Sequence, residues 1–144
     1  MSSEEKGTWV YLVAVLVTYG AYVAIILGRI SGTPVSEVSY VAPLLWSIGI
    51  SVVVSTTGRM VVDMASAAQT PGERRHQRDV RDRDINRYGE LAGRWFVIAG
   101  AAAAMLMALA EWDYFWIANA IYLGFALSAI GSSVLKLVAY RRGL

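Results

Sequence analysis

The chain has no cysteine and a single histidine, His76. A disulfide framework, a thiolate metal site and a cysteine nucleophile are therefore excluded, as is a multi-histidine metal site within one chain. Proline is scarce, and none follows Pro71. A helix that begins after Pro71 therefore meets no breaker. Charge is absent from the centres of the long apolar runs. The net charge of +2 is too small to imply direct binding of nucleic acid. Positive charge reads better as a record of membrane topology.

What is present is oil. Apolar residues make up 56% of the 144, and the mean hydropathy of +0.47 exceeds that of ordinary soluble domains. They fall in four runs, about 8–28, 38–58, 92–110 and 114–135. Crossing a hydrocarbon core of ~30 Å takes ~20 helical residues at ~1.5 Å each, and each run has that length. The expected fold is an all-α integral membrane four-helix bundle, one domain over residues 1–144. The first run exceeds the roughly 7–15 apolar residues of a signal peptide and follows "SSEEK" rather than a basic stretch, so a retained helix is expected.

Of the thirteen Lys and Arg residues, only Arg29 falls in a connection that would face outward. Lys6, the central arginines, Arg94, Lys136, Arg141 and Arg142 share the other side, and Arg59 can snorkel to it. The positive-inside rule then places both termini in the cytoplasm of a cell with an inner membrane, together with the charged segment 67–91. Trp9, Tyr11, Tyr88, Trp95 and Tyr140 fall near the inner boundary. Tyr40, Trp112, Tyr114, Phe115 and Trp116 fall near the outer one, as amphipathic rings prefer. "EWDYFW" reads as an interfacial turn, with Asp113 the N-cap of the fourth helix.

In the first outward turn, "GRISGTPVSE", Gly28 and Gly32 can release the first helix. Thr33 can cap the second, with Pro34 at its first position. Pro43 cannot donate to the Ser39 carbonyl, which predicts a kink near the outer boundary. Ser47, Ser51, Ser55, Arg59 and Asp63 recur every four residues in the second helix. They form either a polar track into the membrane or, as the favoured reading, a small-residue seam with Arg59 and Asp63 paired at the water boundary. Gly89, Gly93 and Gly100 of the third run, continued by Ala104 and Ala108, let a second backbone come close. That partner is a helix of the same chain or of another copy. Asn119, the one amide in a span, is expected to hydrogen-bond another helix.

"GERRHQRDVRDRDINRYGE", residues 72–90, is the most charged stretch. After a turn over "AAQTPG", its charges are spaced for a helix. Arg78 and Asp82, Asp79 and Arg83, and Glu90 and Arg94 are four apart, and Asp84 and Arg87 three apart. Each such pair contributes ~0.2–0.5 kcal/mol. This helix is expected to run into the third span as a rigid cytoplasmic extension. It reads as a self-paired topology element, a docking surface for a protein or lipid headgroups, or a Mg²⁺ site at Asp79, Asp82 and Asp84. The interleaved arginines oppose the last, and Asp79 and Asp84 point in different directions. Five acids offset most of the six arginines, so attraction to anionic lipid is modest.

"DVRDRDI", Asp79–Ile85, before a membrane helix, resembles the Asp-Glu-Arg-Asp signature of a family of small four-helix membrane proteins of unknown function. Asp79, Arg81, Asp82 and Ile85 match the pattern, and Val80 stands where the family has glutamate. The resemblance implies a bacterial or archaeal inner-membrane protein. Some relatives are encoded beside small DNA-binding regulators, which favours docking.

The leading expectation is a non-enzymatic interaction or accessory protein, without cofactor or metal. It would dock a soluble cytoplasmic protein or a second copy of itself through Asp79, Arg81, Asp82, Arg83, Asp84 and Arg87. An oligomeric channel or small transporter is the alternative, favoured by the serine row and Asn119. An enzyme ranks third, because the spans hold no acid and no nucleophile–base pair.

Overall fold

The computed structural model describes the backbone of residues 3–67 and 73–142, and the side chains of 4–65, 80 and 82–142. It is all-helical: α1 (Ser3–Ile30), α2 (Val41–Ala67), α3 (Glu73–Leu109) and α4 (Tyr114–Arg142), with a short 3₁₀ turn at Val35–Glu37. Each of the four long helices contains a stretch long and apolar enough to cross a membrane. With 37 residues, α3 reaches about 56 Å at ~1.5 Å per residue. It carries charge and membrane span in one unbroken rod, as the absence of proline predicted. The expected turn over 67–72 falls mostly outside the described residues.

Leu45, Trp46, Val53, Met60 and Val61 on α2, and Met105, Leu106 and Leu109 on α3, are all exposed. So much bare apolar surface is incompatible with water and ordinary in lipid. The chain is a multi-pass membrane protein by helix length and composition.

The helices pack in the order α2–α1–α4–α3. The contact of α3 with α4 is the most extensive, α1 lies on both α2 and α4, and α2 and α3 do not pack extensively on each other. Accordingly only 6% of the α2 span is buried within the chain, against 28% for α1 and for α4.

Small residues set the closest approaches. A methyl added at Gly100 would lie 2.8 Å from the Gly124 Cα and 3.2 Å from the Ala120 carbonyl. At Gly93 it would meet the Ser128 hydroxyl at 2.9 Å, and at Gly89 the Ser132 carbonyl at 2.9 Å. The glycine row of α3 therefore serves an intrachain contact with α4, which settles the choice the sequence left open. Ala104 is buried and Ala108 exposed. On α2, Gly58 is held against Val10 of α1.

The turns correct two expectations. Gly32, at φ 98, releases α1, but Thr33 and Pro34 do not start α2. The Pro34 carbonyl accepts from Glu37 N at 2.9 Å to open the 3₁₀ turn, and α2 begins at Val41. Pro43 thus sits in the first turn of α2, where a backbone N–H has no intrahelical acceptor, and the reason for a kink disappears. The Ser39 carbonyl that Pro43 cannot serve accepts instead from Arg29 Nη1.

Between α3 and α4, Glu111 takes φ 56. Trp112 N bonds the Met107 carbonyl at 2.9 Å and Glu111 N the Ala108 carbonyl at 3.1 Å, a Schellman closure with glutamate where glycine is usual. Asp113 caps α4 as expected, its Oδ1 accepting from Phe115 N at 3.0 Å.

Replacing Gly100 or Gly124 by alanine should cost about 1–3 kcal/mol by overpacking backbone against backbone. Gly49→Ala, where nothing lies within 4 Å, should leave stability unchanged or raise it by up to ~1 kcal/mol. Denaturant unfolding in bicelles measures both. Equal effects at the two kinds of site would show that the α3–α4 seam is not closely packed.

Candidate functional site

The polar row of α2 does not act as one unit. Ser47 is buried and donates to the Thr18 carbonyl of α1 at 3.0 Å. Its oxygen lies 2.5 Å from the Tyr122 hydroxyl of α4. Since the one serine proton is used on Thr18, Tyr122 is the donor in that second bond. One helical turn on, Ser51 lines a cavity of about 310 Å³ bounded by Tyr11, Val15 and Thr18 of α1, Val52 of α2, and Tyr122 of α4. The Ser55 hydroxyl oxygen is buried with no hydrogen-bond partner among the described residues.

Arg59 pairs with Glu4 of α1 at 2.9 Å and not with Asp63, which corrects the expected pairing. The cause is helix approach: Gly7 lies against the Arg59 stem, bringing the start of α1 to the guanidinium. The pair is largely exposed and so worth ~0–1 kcal/mol. Asp63 is exposed and, among the described residues, forms no ion pair.

Asn119 finds its partner on another helix, as expected. Its Oδ1 accepts from Tyr22 of α1 at 2.8 Å, while its Nδ2 donates to the Phe115 carbonyl at 2.8 Å. The Tyr122 ring meets those of Tyr19 and Tyr22 edge-on, at centroid distances of 5.2 and 5.1 Å. Ser47, Asn119, Tyr19, Tyr22 and Tyr122 therefore form one polar and aromatic knot joining α1, α2 and α4. Sequence reasoning missed its tyrosines. Tyr19 and Tyr22 are three residues apart within a span, away from the interfacial belts, and that depth was the available signal. No carboxylate belongs to the knot, and the Ser47, Tyr22, Tyr122 and Asn119 polar groups in it are all hydrogen-bonded, so it holds helices together.

On the charged part of α3, Ile85 and Gly89 are buried and Asp82 is half-buried. These share the side of Gly93 and Gly100, which faces α4. Glu90 lies 3.9 Å from Lys136 of α4 instead of pairing with Arg94, because the Lys136 stem runs over Gly89. Arg83, Asp84 and Arg87 are exposed. Asp84 and Arg87 form no ion pair among the described residues, so that expected pair is absent too. The side chains of Arg78, Asp79 and Arg81 lie outside the described residues, and with them the pairs Arg78–Asp82 and Asp79–Arg83. Val80, Asp84, Arg87, Tyr88, Leu91 and Trp95 recur at helical spacing on the side away from α4, all exposed. Among the described residues, no three His, Asp or Glu side chains come together for a metal.

Comparison with protein-family models, with curated proteins and with solved structures yields no match in any of the three.

A Tyr22→Phe and Asn119→Ala double-mutant cycle should give a coupling of about 0.6–1.7 kcal/mol, the range for hydrogen bonds between membrane helices. Ser47→Ala should add its own loss, since Tyr122 then loses its acceptor. Unfolding in bicelles measures each term, and additive single effects would mean that Tyr22 and Asn119 do not interact.

Proposed function

We propose that this chain is a non-enzymatic membrane protein that docks a soluble partner on the free face of α3. In this reading both termini and the charged part of α3 are cytoplasmic, as the distribution of Lys and Arg supports. The observation that carries it is the pairing of two faces on one rod. Ile85 and Gly89 fix the helix to α4, while Val80 and Tyr88 remain 54% and 59% exposed beside Arg83, Asp84 and Arg87. Val80 is an apolar side chain left open in the aqueous segment, and the Tyr88 ring stands open at the membrane boundary, with both signs of charge between them. Such a mixture is what a protein interface uses: an aromatic anchor with charged groups that set register and exclude wrong partners.

The resemblance of Asp79–Ile85 to the Asp-Glu-Arg-Asp family motif supports the same assignment, since the motif lies on this rod. The free face differs from the motif itself. Asp82 falls on the side of the rod that carries Gly93 and Gly100, so the docking residues are Asp84, Arg87 and Tyr88, with Arg83 exposed at the edge of that face. A channel made of several copies is the second reading, favoured by the hydroxyls of Ser51 and Ser55 along the α1–α2 cleft.

A photo-crosslinker at position 84 in intact membranes should capture a discrete adduct. Combining Arg83→Ala, Arg87→Ala and Tyr88→Ala should reduce it at least about tenfold, the effect of losing one anchor and its charges. An adduct that survives the triple change would overturn the docking reading. Ion flux through vesicles, rising with protein loading, would favour the channel.

A further inference from the structure

We propose that the cleft along α1 and α2 is a binding site for one phospholipid with an ammonium headgroup, of the phosphoethanolamine type. Two cavities have Tyr11 in their walls. The inner one, about 310 Å³, is lined by Val15, Ile48, Ser51, Val52, Phe125 and Ala126 among others. The other, about 390 Å³, lies at the charged end and is lined by Tyr11, Ser55, Thr56, Arg59, Met60 and Asp63. From Ile48 to Asp63 the pair runs about 22 Å along α2 at ~1.5 Å per residue. One leaflet of hydrocarbon is about 15 Å deep. The cleft is therefore long enough for one acyl chain with its headgroup at the charged end.

The headgroup end selects the chemistry. Arg59 spends one contact of Nη2 on Glu4 and keeps further N–H donors for a phosphate. Tyr11 and Thr56 line the same space. Asp63, one helical turn beyond Arg59 and without an ion pair among the described residues, offers a carboxylate where an ammonium attached to that phosphate would fall. A cation and an acid side by side at a hydrocarbon boundary complement a zwitterion that carries hydrogen-bond donors on its cationic end. They complement a choline headgroup less, because its quaternary nitrogen has no N–H. They complement a purely anionic headgroup less as well, because Asp63 and Glu4 oppose added negative charge.

Native mass spectrometry of the full chain tests this, with phosphatidylethanolamine, phosphatidylcholine and phosphatidylglycerol of identical acyl chains titrated in detergent. The first lipid adduct should favour ethanolamine over choline by about fivefold, the scale of one exposed ion pair. Asp63→Asn should remove that preference while leaving an adduct. Ser51→Leu, which fills the acyl section, should weaken all three lipids. Glu4→Gln breaks the Arg59 ion pair without touching Asp63 and should keep the preference, which separates loss of the site from loss of fold. Equal binding of ethanolamine and choline, preference for phosphatidylglycerol, or an unchanged preference in Asp63→Asn would overturn the proposal. So would a protein dimer in place of lipid adducts, since a second copy would then occupy the cleft.

Discussion

Hydrocarbon offers no hydrogen bond, and that constraint organises most of what this chain does. Backbone groups are satisfied inside four long helices. Polar side chains within the spans must then find one another, and Ser47, Asn119, Tyr22 and Tyr122 do so across three helices. Where helices have no polar link they come together through close packing, because lipid removes the hydrophobic drive between them. The α3–α4 seam is packed in this way along its apolar part, with Gly100 and Gly124 meeting backbone to backbone, and carries the Glu90–Lys136 ion pair at its charged end.

These two ways of holding helices divide the molecule. The polar and aromatic knot ties α1, α2 and α4 within their spans, and the glycine seam ties α3 to α4 along its length. Helix α2 is the least buried of the four, with 6% of its span buried, and its contact with α1 leaves clefts on either side. Close packing of α3 also has a consequence beyond the membrane span. Because the seam continues through Gly89 to Ile85, the charged part of the rod is held at a defined rotation. Asp84, Arg87 and Tyr88 share an exposed side as a result, and Asp82 falls on the opposite side, with Gly93 and Gly100.

Charge pairing shows how weak local rules become once helices approach. Glu90 and Arg94, and Arg59 and Asp63, have the spacing of intrahelical pairs. Each pair contributes only a few tenths of a kcal/mol, less than a small change in helix approach can redirect. Arg59 takes Glu4 and Glu90 takes Lys136, both across helices. Pro43 teaches a related lesson. Its effect depends on where α2 begins, and a boundary shift of a few residues turns a helix breaker into an ordinary first-turn residue.

From residue order alone follow the four membrane-crossing helices, the unbroken rod of α3 and the Asp113 cap, because hydropathy, helix breaking and capping are local and depend on neighbours within a turn or two. Tertiary structure alone decides that the α3 glycines face α4, that Asn119 bonds Tyr22, and that Ser47, Ser51 and Ser55 have three different environments. It also decides which side of the charged helix stays open. Those outcomes depend on the order and rotation of helices about their long axes, and spans that are apolar all round carry almost no signal for either.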